Sequence, residues 1–264
     1  MEKIAFYKYQ GAGNDFILID QRDRRVLQRD DRARIARLCD RRFGIGADGL
    51  ILLQAAEGYD FEMLYFNADG GEGSLCGNGA RCVVAFAHFL GVAARECRFL
   101  ASDGPHEARM VRPDWVEVHI RDIAQWHWAE GRCVLNTGSP HYVRFIPQLE
   151  GFDVVSEGRR VRYSPEFAKE GINVNFAQET DAGIRMGTYE RGVEDETLAC
   201  GTGATAAAIA FVSQKENPLG DWDIPVGVKG GELRVRFHFD GQCFRQVWLC
   251  GPAVQVFSGE IELG

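Results

Sequence analysis

Four short blocks recur along this chain in the same order and at nearly the same separation. GAGNDF (residues 11–16) falls on NTGSPH (136–141) at an offset of 125, and GADGLIL (46–52) falls on GINVNFA (171–177) at the same offset. MLYFN (63–67) then falls on MGTYE (186–190) at 123, and Cys76 on Cys200 at 124. One such match is a Gly-rich turn of the kind many proteins carry. Four in register mark an internal duplication, and a duplicated chain folds as two similarly built halves. At 264 residues, each half reaches the size at which a chain buries a core of its own.

The blocks also order the elements. FEMLYFN and RVRFHF alternate as strands do. After each duplicated cysteine, ARCVVAFAHFL and ATAAAIAFVS are apolar on nearly every side, and a helix apolar all round must be enclosed. The expected fold is therefore α+β. It comprises two pseudo-symmetric domains, each a curved mixed β-sheet or barrel wrapped around a central helix, with the active site in the interdomain cleft. The first domain is expected over residues 1–121 and the second over 122–252. The tail GPAVQVFSGEIEL has no counterpart in the first half, so 253–264 is expected to return to the first domain as a strand.

A net charge of −8 and a pI near 5.3 argue against a general nucleic-acid or anionic-membrane surface. The one basic-looking run, QRDRRVLQRDDRARIARLCDRR (21–42), interleaves four aspartates with nine arginines. Ile35 and Leu38 stand at helical spacing, so it reads as a solvated amphipathic helix. No signal peptide and no apolar run of membrane-spanning length is visible, which implies a cytoplasmic location. The eight cysteines form no CxxC pair. Neither a zinc site nor a disulfide framework is indicated, and most of the thiols are expected to pack as small hydrophobes.

Cys76 and Cys200 differ from the other six in where they stand. Each precedes a Gly-x-Gly-Ala at the start of a predicted helix, where unpaired backbone N–H groups and the positive end of the helix dipole favour anions. A thiol there has its pKa lowered and becomes a usable base. The flanking glycines leave room for a ligand carboxylate on the same N–H groups. Two such motifs facing one α-carbon from opposite sides meet the requirement for inverting a stereocentre. One thiolate removes the proton, the other thiol returns one to the opposite face, and the helix ends stabilise the developing charge.

GAGNDF, FNADGGEGSLCGNGARC, NTGSPH, NVNF, YERGVEDETLACGTGA and the terminal GPA..VF.GE together resemble the diaminopimelate epimerase family, over essentially the whole chain. The resemblance implies a cofactor-independent isomerase with no PLP and no metal. It would interconvert LL- and meso-2,6-diaminopimelate in lysine and peptidoglycan precursor synthesis, with no nucleic-acid or membrane partner, and a homodimer is compatible with it. Carried over by motif, Cys76 and Cys200 are the acid/base pair, and His141 and Glu190 tune the thiols and hold the reacting amine. Gly77, Asn78, Gly201 and Thr202 hold the reacting carboxylate. Asn14, Asn67, Asn175 and Arg191 match contacts to the amino and carboxyl groups, with Arg191 as a buried cation forking the distal carboxylate.

Three positions depart from the family pattern. Ser139 stands where many members have Asn, and is expected to reach the substrate directly or through water. Gly49 stands where some have Gln and carries no role. The spacing from Glu190 to Cys200 is one residue longer than in the commoner ERGxGET form. Two alternatives keep the same motifs. One is a racemase of the same fold acting on proline, hydroxyproline or histidine, which Arg191 and the asparagines disfavour. The other is a thiol redox or binding protein using Cys76 and Cys200 as a switchable disulfide, for which no amino acid is turned over.

Overall fold

The structure is a computed structural model and describes residues 2–73 and 75–263. His119–Cys250 form one compact unit, and the chain before and after that span forms the other.

In the unit built from the two ends of the chain, β1 (Glu2–Gly11) and β2 (Asn14–Asp20) make a hairpin. Ala12 and Gly13 take φ of 53° and 86°, the pair of positive values that a two-residue hairpin turn demands. The turn delivers Asn14 as the first residue of β2. The chain continues through α1 (Arg32–Cys39), β3 (Gly49–Gln54), β4 (Phe61–Asn67), α2 (Gly77–Phe89), β5 (Glu96–Ala101), β6 (Gly104–Arg112) and β7 (Trp115–His119). β1 to β7 lie side by side in sequence order. The pairs β2–β3 and β4–β5 are parallel and the rest are antiparallel. The C-terminal strand Val254–Leu263 adds antiparallel to the outer side of β1. Each parallel pair is spanned by a helix, as a parallel crossover requires.

The two helices cover different faces of the sheet. α2 packs on β1, β2, β3, β4 and β6, in a core that includes Phe16, Leu18, Ile51, Phe61, Met63, Phe99 and Val116. Every residue from Gly77 to Ala87 is buried. On the other face, Ile35, Leu38 and Cys39 of α1 meet Ile17, Ile19, Leu50, Leu52 and Phe66. With both faces covered, all six residues of β3 are buried. Fully burying a Val, Leu, Ile or Phe side chain is worth about 1.5–3 kcal/mol, so the apolar surface of α2 is what closes the sheet over it.

The second unit repeats the plan. β8 (Trp126–Ala129), β9 (Arg132–Asn136), β10 (Pro140–Phe145), α3 (Val154–Arg162), β11 (Asn173–Thr180) and β12 (Gly183–Tyr189) precede the two-residue β13 (Glu196–Thr197). α4 (Gly201–Ser213), β14 (Gly220–Val228), β15 (Gly231–Phe239) and β16 (Phe244–Pro252) complete it. Again two strand pairs are parallel, β10–β11 across α3 and β12–β14 across α4. The others are antiparallel. α4 is buried along its length, at Gly201 and from Gly203 to Val212. The fold class is α+β with a duplicated plan: mixed sheets, each carrying one buried helix.

One expected element is shorter than its pattern. The helix expected across 21–42 covers only Arg32–Cys39. Upstream of it, the buried Gln21 side chain accepts from the N–H groups of Val26 and Leu27 and donates to Leu27 O, and Asp31 Oδ2 accepts from Gln28 N at 2.8 Å. Side chains that bond the local backbone this way compete with helix. Arg22, Arg29, Arg32, Arg34 and Arg41 all pair with carboxylates. No helix among the described residues is long and apolar enough to cross a membrane.

Candidate active site

Cys76 and Cys200 hold the same post in the two units. Each is the N-cap residue of the buried helix, in extended backbone at φ −98°, ψ 118° and φ −118°, ψ 109° respectively. Each carbonyl accepts the first helical bond, Ala80 N to Cys76 O at 2.7 Å and Ala204 N to Cys200 O at 2.9 Å. Neither side chain caps its own helix. A helix start that its own cap residue leaves uncapped, as ahead of Gly77, Asn78, Gly201 and Thr202, favours an anion. Cys76 is half-buried and Cys200 is buried, and all eight cysteines are free thiols.

Around Cys76, the side chain of Asn14 is the organising group. Its Nδ2 donates to Asp48 Oδ2 at 2.6 Å, which turns Oδ1 toward the thiol at 3.7 Å and toward Asn78 Nδ2 at 3.3 Å. Asp48 is tied in turn to Arg41 at 2.8 Å, and Arg41 forks Asp15 at 2.6 and 3.0 Å. The nearly buried Lys8 closes this cluster on Asp15 at 2.7 Å. Burial raises the Asp15 pKa, but Arg41 and Lys8 outweigh it and hold the carboxyl at about 2. Asn78 is pinned from behind by Arg81, whose Nη2 donates to Asn78 Oδ1 at 2.8 Å while Nε and Nη1 donate to Pro252 O and Gly77 O. Asn67, at the end of β4, is exposed and accepts from Tyr65 Oη at 3.1 Å. Gly49 cannot carry a side chain here, because a Cβ would lie 2.6 Å from both Phe66 O and the Tyr65 ring.

Around Cys200 a chain of hydrogen bonds runs inward. Thr202 Oγ1 lies 3.6 Å from Cys200 Sγ and 2.9 Å from His141 Nε2. His141 Nδ1 lies 3.1 Å from Asn175 Nδ2, and Asn175 Oδ1 accepts from Thr188 Oγ1 at 2.9 Å. Burial, with the Arg191 charge adding to it, pushes the His141 pKa down to about 3, so the imidazole is neutral at ordinary pH. A second cluster joins Ser139, Asn173 and Arg191. Asn173 Nδ2 donates to Ser139 Oγ at 2.9 Å and its Oδ1 accepts from Arg191 N at 2.9 Å. The Arg191 guanidinium reaches Glu170 O at 3.1 Å and Ser139 Oγ at 3.4 Å. Glu190 follows β12 directly and is half-buried, in a turn closed by Glu194 N to Glu190 O at 2.8 Å.

Two expectations change. Arg191 is not a buried cation, because its side chain lies on the surface, held by a carbonyl and a hydroxyl. Asn175 does not face a ligand: it is fully buried, and its amide is spent on His141, Tyr142 O and Thr188. Asn173, two residues earlier on the same face of β11, is the asparagine that touches Ser139 and Arg191. Nothing in NVNF distinguishes the two, since i and i+2 point alike. Arg81 is absent from the residues expected at the site although a signal exists for it, because an arginine inside an otherwise apolar helix must be buried with partners. Asp48 and Thr188 gave no signal. Among the described residues no group of three or more His, Cys, Asp or Glu is placed to hold a metal.

Comparison with known proteins identifies the family. The chain matches the sequence profile of the diaminopimelate epimerase family over residues 6–120 and 133–256. It is 45% identical to the diaminopimelate epimerase of Flavobacterium psychrophilum, covering 98% of this chain and 100% of that one. With the diaminopimelate epimerase of Chlorobaculum tepidum it shares 42% identity, over 96% and 99% of the two chains. Among solved structures it resembles the Bacillus anthracis phenazine biosynthesis protein of the PhzF family (TM-score 0.78, 14% identity, covering 99% of this chain and 100% of that one). It also resembles a hydroxyproline epimerase from Agrobacterium vitis (TM-score 0.66, 12% identity, covering 98% and 92%). At such identities these two structures speak for the fold alone. The end-to-end match to the two relatives goes further, and with both helix-start cysteines in place the chain belongs to the diaminopimelate epimerase family.

Proposed function

We propose that the protein interconverts LL- and meso-2,6-diaminopimelate by two-base transfer of the α-proton, serving lysine and peptidoglycan precursor synthesis in the cytoplasm. The observation that carries this reading is the matched placement of Cys76 and Cys200, each ahead of a buried helix whose first-turn N–H groups its side chain leaves uncapped. In each direction one thiolate removes the proton and the other thiol supplies one, so the configuration inverts. Charge that builds on the substrate carboxylate is stabilised by the helix N-termini at Gly77, Asn78, Gly201 and Thr202. The thiols and helix starts supply the acid, the base and the charge stabilisation, with no PLP or metal.

The remaining residues divide by what they touch. Asn14 accepts from the Cys76 thiol and Thr202 links His141 to Cys200, so Asn14 and His141 tune the thiols. Glu190, half-buried after β12, holds the reacting amine, while His141, with both ring nitrogens engaged inside the protein, acts through Thr202. Ser139, Asn173 and Arg191 form a joined polar cluster suited to the distal amino-acid end, and Asn67 supplies a further exposed amide. The enzyme acts as a homodimer. The test is incubation with LL-diaminopimelate in deuterium oxide followed by stereochemical analysis. α-Deuterium should appear together with the meso isomer. Absence of exchange, or faster exchange into proline or hydroxyproline, would sink the reading.

A further inference from the structure

His141 has a polar neighbour at each ring nitrogen, so its tautomer is decided by which neighbour is fixed. Asn175 is the fixed one. Its Nδ2 end lies 2.9 Å from Tyr142 O and 3.5 Å from Asn173 O, two backbone carbonyls that only accept. Reversing the amide would set Oδ1 against both carbonyls. The amino group therefore stays at that end, spends one hydrogen on Tyr142 O, and presents the other to His141 Nδ1 at 3.1 Å. Thr188 Oγ1 satisfies the opposite end at 2.9 Å. A neutral imidazole carries one N–H, and with Nδ1 accepting, that hydrogen belongs to Nε2.

From there the direction propagates outward. Nε2–H donates to Thr202 Oγ1 at 2.9 Å, which occupies a lone pair of that hydroxyl. The hydroxyl hydrogen is left for its other neighbour, Cys200 Sγ at 3.6 Å. We propose that Asn175 is a positioning residue that sets the polarity of this chain, locking His141 as the Nε2–H tautomer so that Thr202 donates to the Cys200 thiolate. Burial, which keeps His141 uncharged with Arg191 as its charged neighbour, works in the same sense. The close approach is built in: a Cβ on Gly203 would lie 2.5 Å from Asn175 Oδ1 and 3.2 Å from Cys200 Sγ.

The proposal rests on Cys200 being one of the two acid/base thiols, but its test uses the full-length protein without substrate. In nitrogen-15 spectra of the histidine rings, assigned with His141→Gln, wild-type His141 should show a bare Nδ1 and a protonated Nε2. Asn175→Asp puts an acceptor opposite Nδ1 and should move the proton there. A hydrogen bond to a charged group carries about a decade or more in an ionisation equilibrium. Thr202→Val should accordingly slow alkylation of Cys200 by iodoacetamide at neutral pH by about tenfold or more. Cys76, mapped in the same digest, should keep its rate, and Thr202→Ser should restore Cys200. A wild-type spectrum with the proton on Nδ1 overturns the proposal however the variants fold. So does unchanged Cys200 alkylation in Thr202→Val.

Discussion

Gly79 and Gly203 occupy the same position three residues after their cysteines, yet alanine at the two should have different outcomes. At Gly203 a Cβ would meet Asn175 Oδ1 at 2.5 Å and the Cys200 side chain at 3.2–3.3 Å. Asn175 cannot retreat, being fully buried and bonded at both ends of its amide. Overpacking of this kind costs about 1–3 kcal/mol, and breaking the Thr188 bond leaves a buried acceptor unpaired for about another 1–3 kcal/mol. Alanine returns at most about 1 kcal/mol in helix propensity. The net expectation is a loss of about 1–5 kcal/mol, or roughly 2–20 °C in Tm for a chain of this size.

At Gly79 the same Cβ would meet Ile51 Cδ1 at 3.1 Å, Met63 Cε at 3.4 Å and a Phe16 ring carbon at 3.5 Å. The first two are the free ends of flexible side chains that give by a few tenths of an ångström. Gly79→Ala should stay within about 1 kcal/mol of wild type, because the propensity gain offsets the crowding. Calorimetric melting of both variants, with deuterium exchange into diaminopimelate as the activity readout, measures the contrast. Equal melting temperatures for the two variants, or a Gly203→Ala protein as stable and active as wild type, would refute the argument that Asn175 is held rigidly against α4.

Further outcomes follow from the same geometry. Cys76→Ala and Cys200→Ala should each lose two to four decades of rate in both directions, the scale of an acid/base group, while Cys39, Cys97 or Cys243 replaced by Ser should leave turnover within a few fold. Arg191→Ala should lower kcat/KM for diaminopimelate by about one to two decades. That is the worth of a charged hydrogen bond made from the surface rather than of a buried ion pair, and Arg191→Lys should recover only part of it. His141 affects stability below neutrality. Burial holds its folded pKa at about 3 against an ordinary 6.5, so the unfolded chain takes up the proton first and stability is lost as pH falls from about 6.5 toward 3. Urea unfolding at pH 7 and pH 5 should show about 2 kcal/mol of that loss, absent in His141→Gln.

The duplication, the two enclosed helices and the place of both cysteines were all legible in the residues alone. Each rests on a local, repeated pattern: a constant offset between blocks, apolar residues on every side of a helix, and Gly-x-Gly-Ala after a cap position. Such patterns state a physical requirement, burial or an open helix start, that holds whatever the neighbours are. Tertiary structure decided the rest. The helix expected across 21–42 shrank to Arg32–Cys39 because Gln21 found backbone partners five and six residues away. Asn173 and Asn175 point alike along β11, and only their registers against β10 and β12 put one beside Ser139 and the other behind His141. Arg191 came to the surface because the turn after β12 carries it outward, a matter of loop path and not of residue type. The direction of the hydrogen bonds toward Cys200 was likewise out of reach of the sequence. It is set by the carbonyl of Tyr142, 2.9 Å from an amide 33 residues further on, and a backbone carbonyl leaves no mark in a string of side chains.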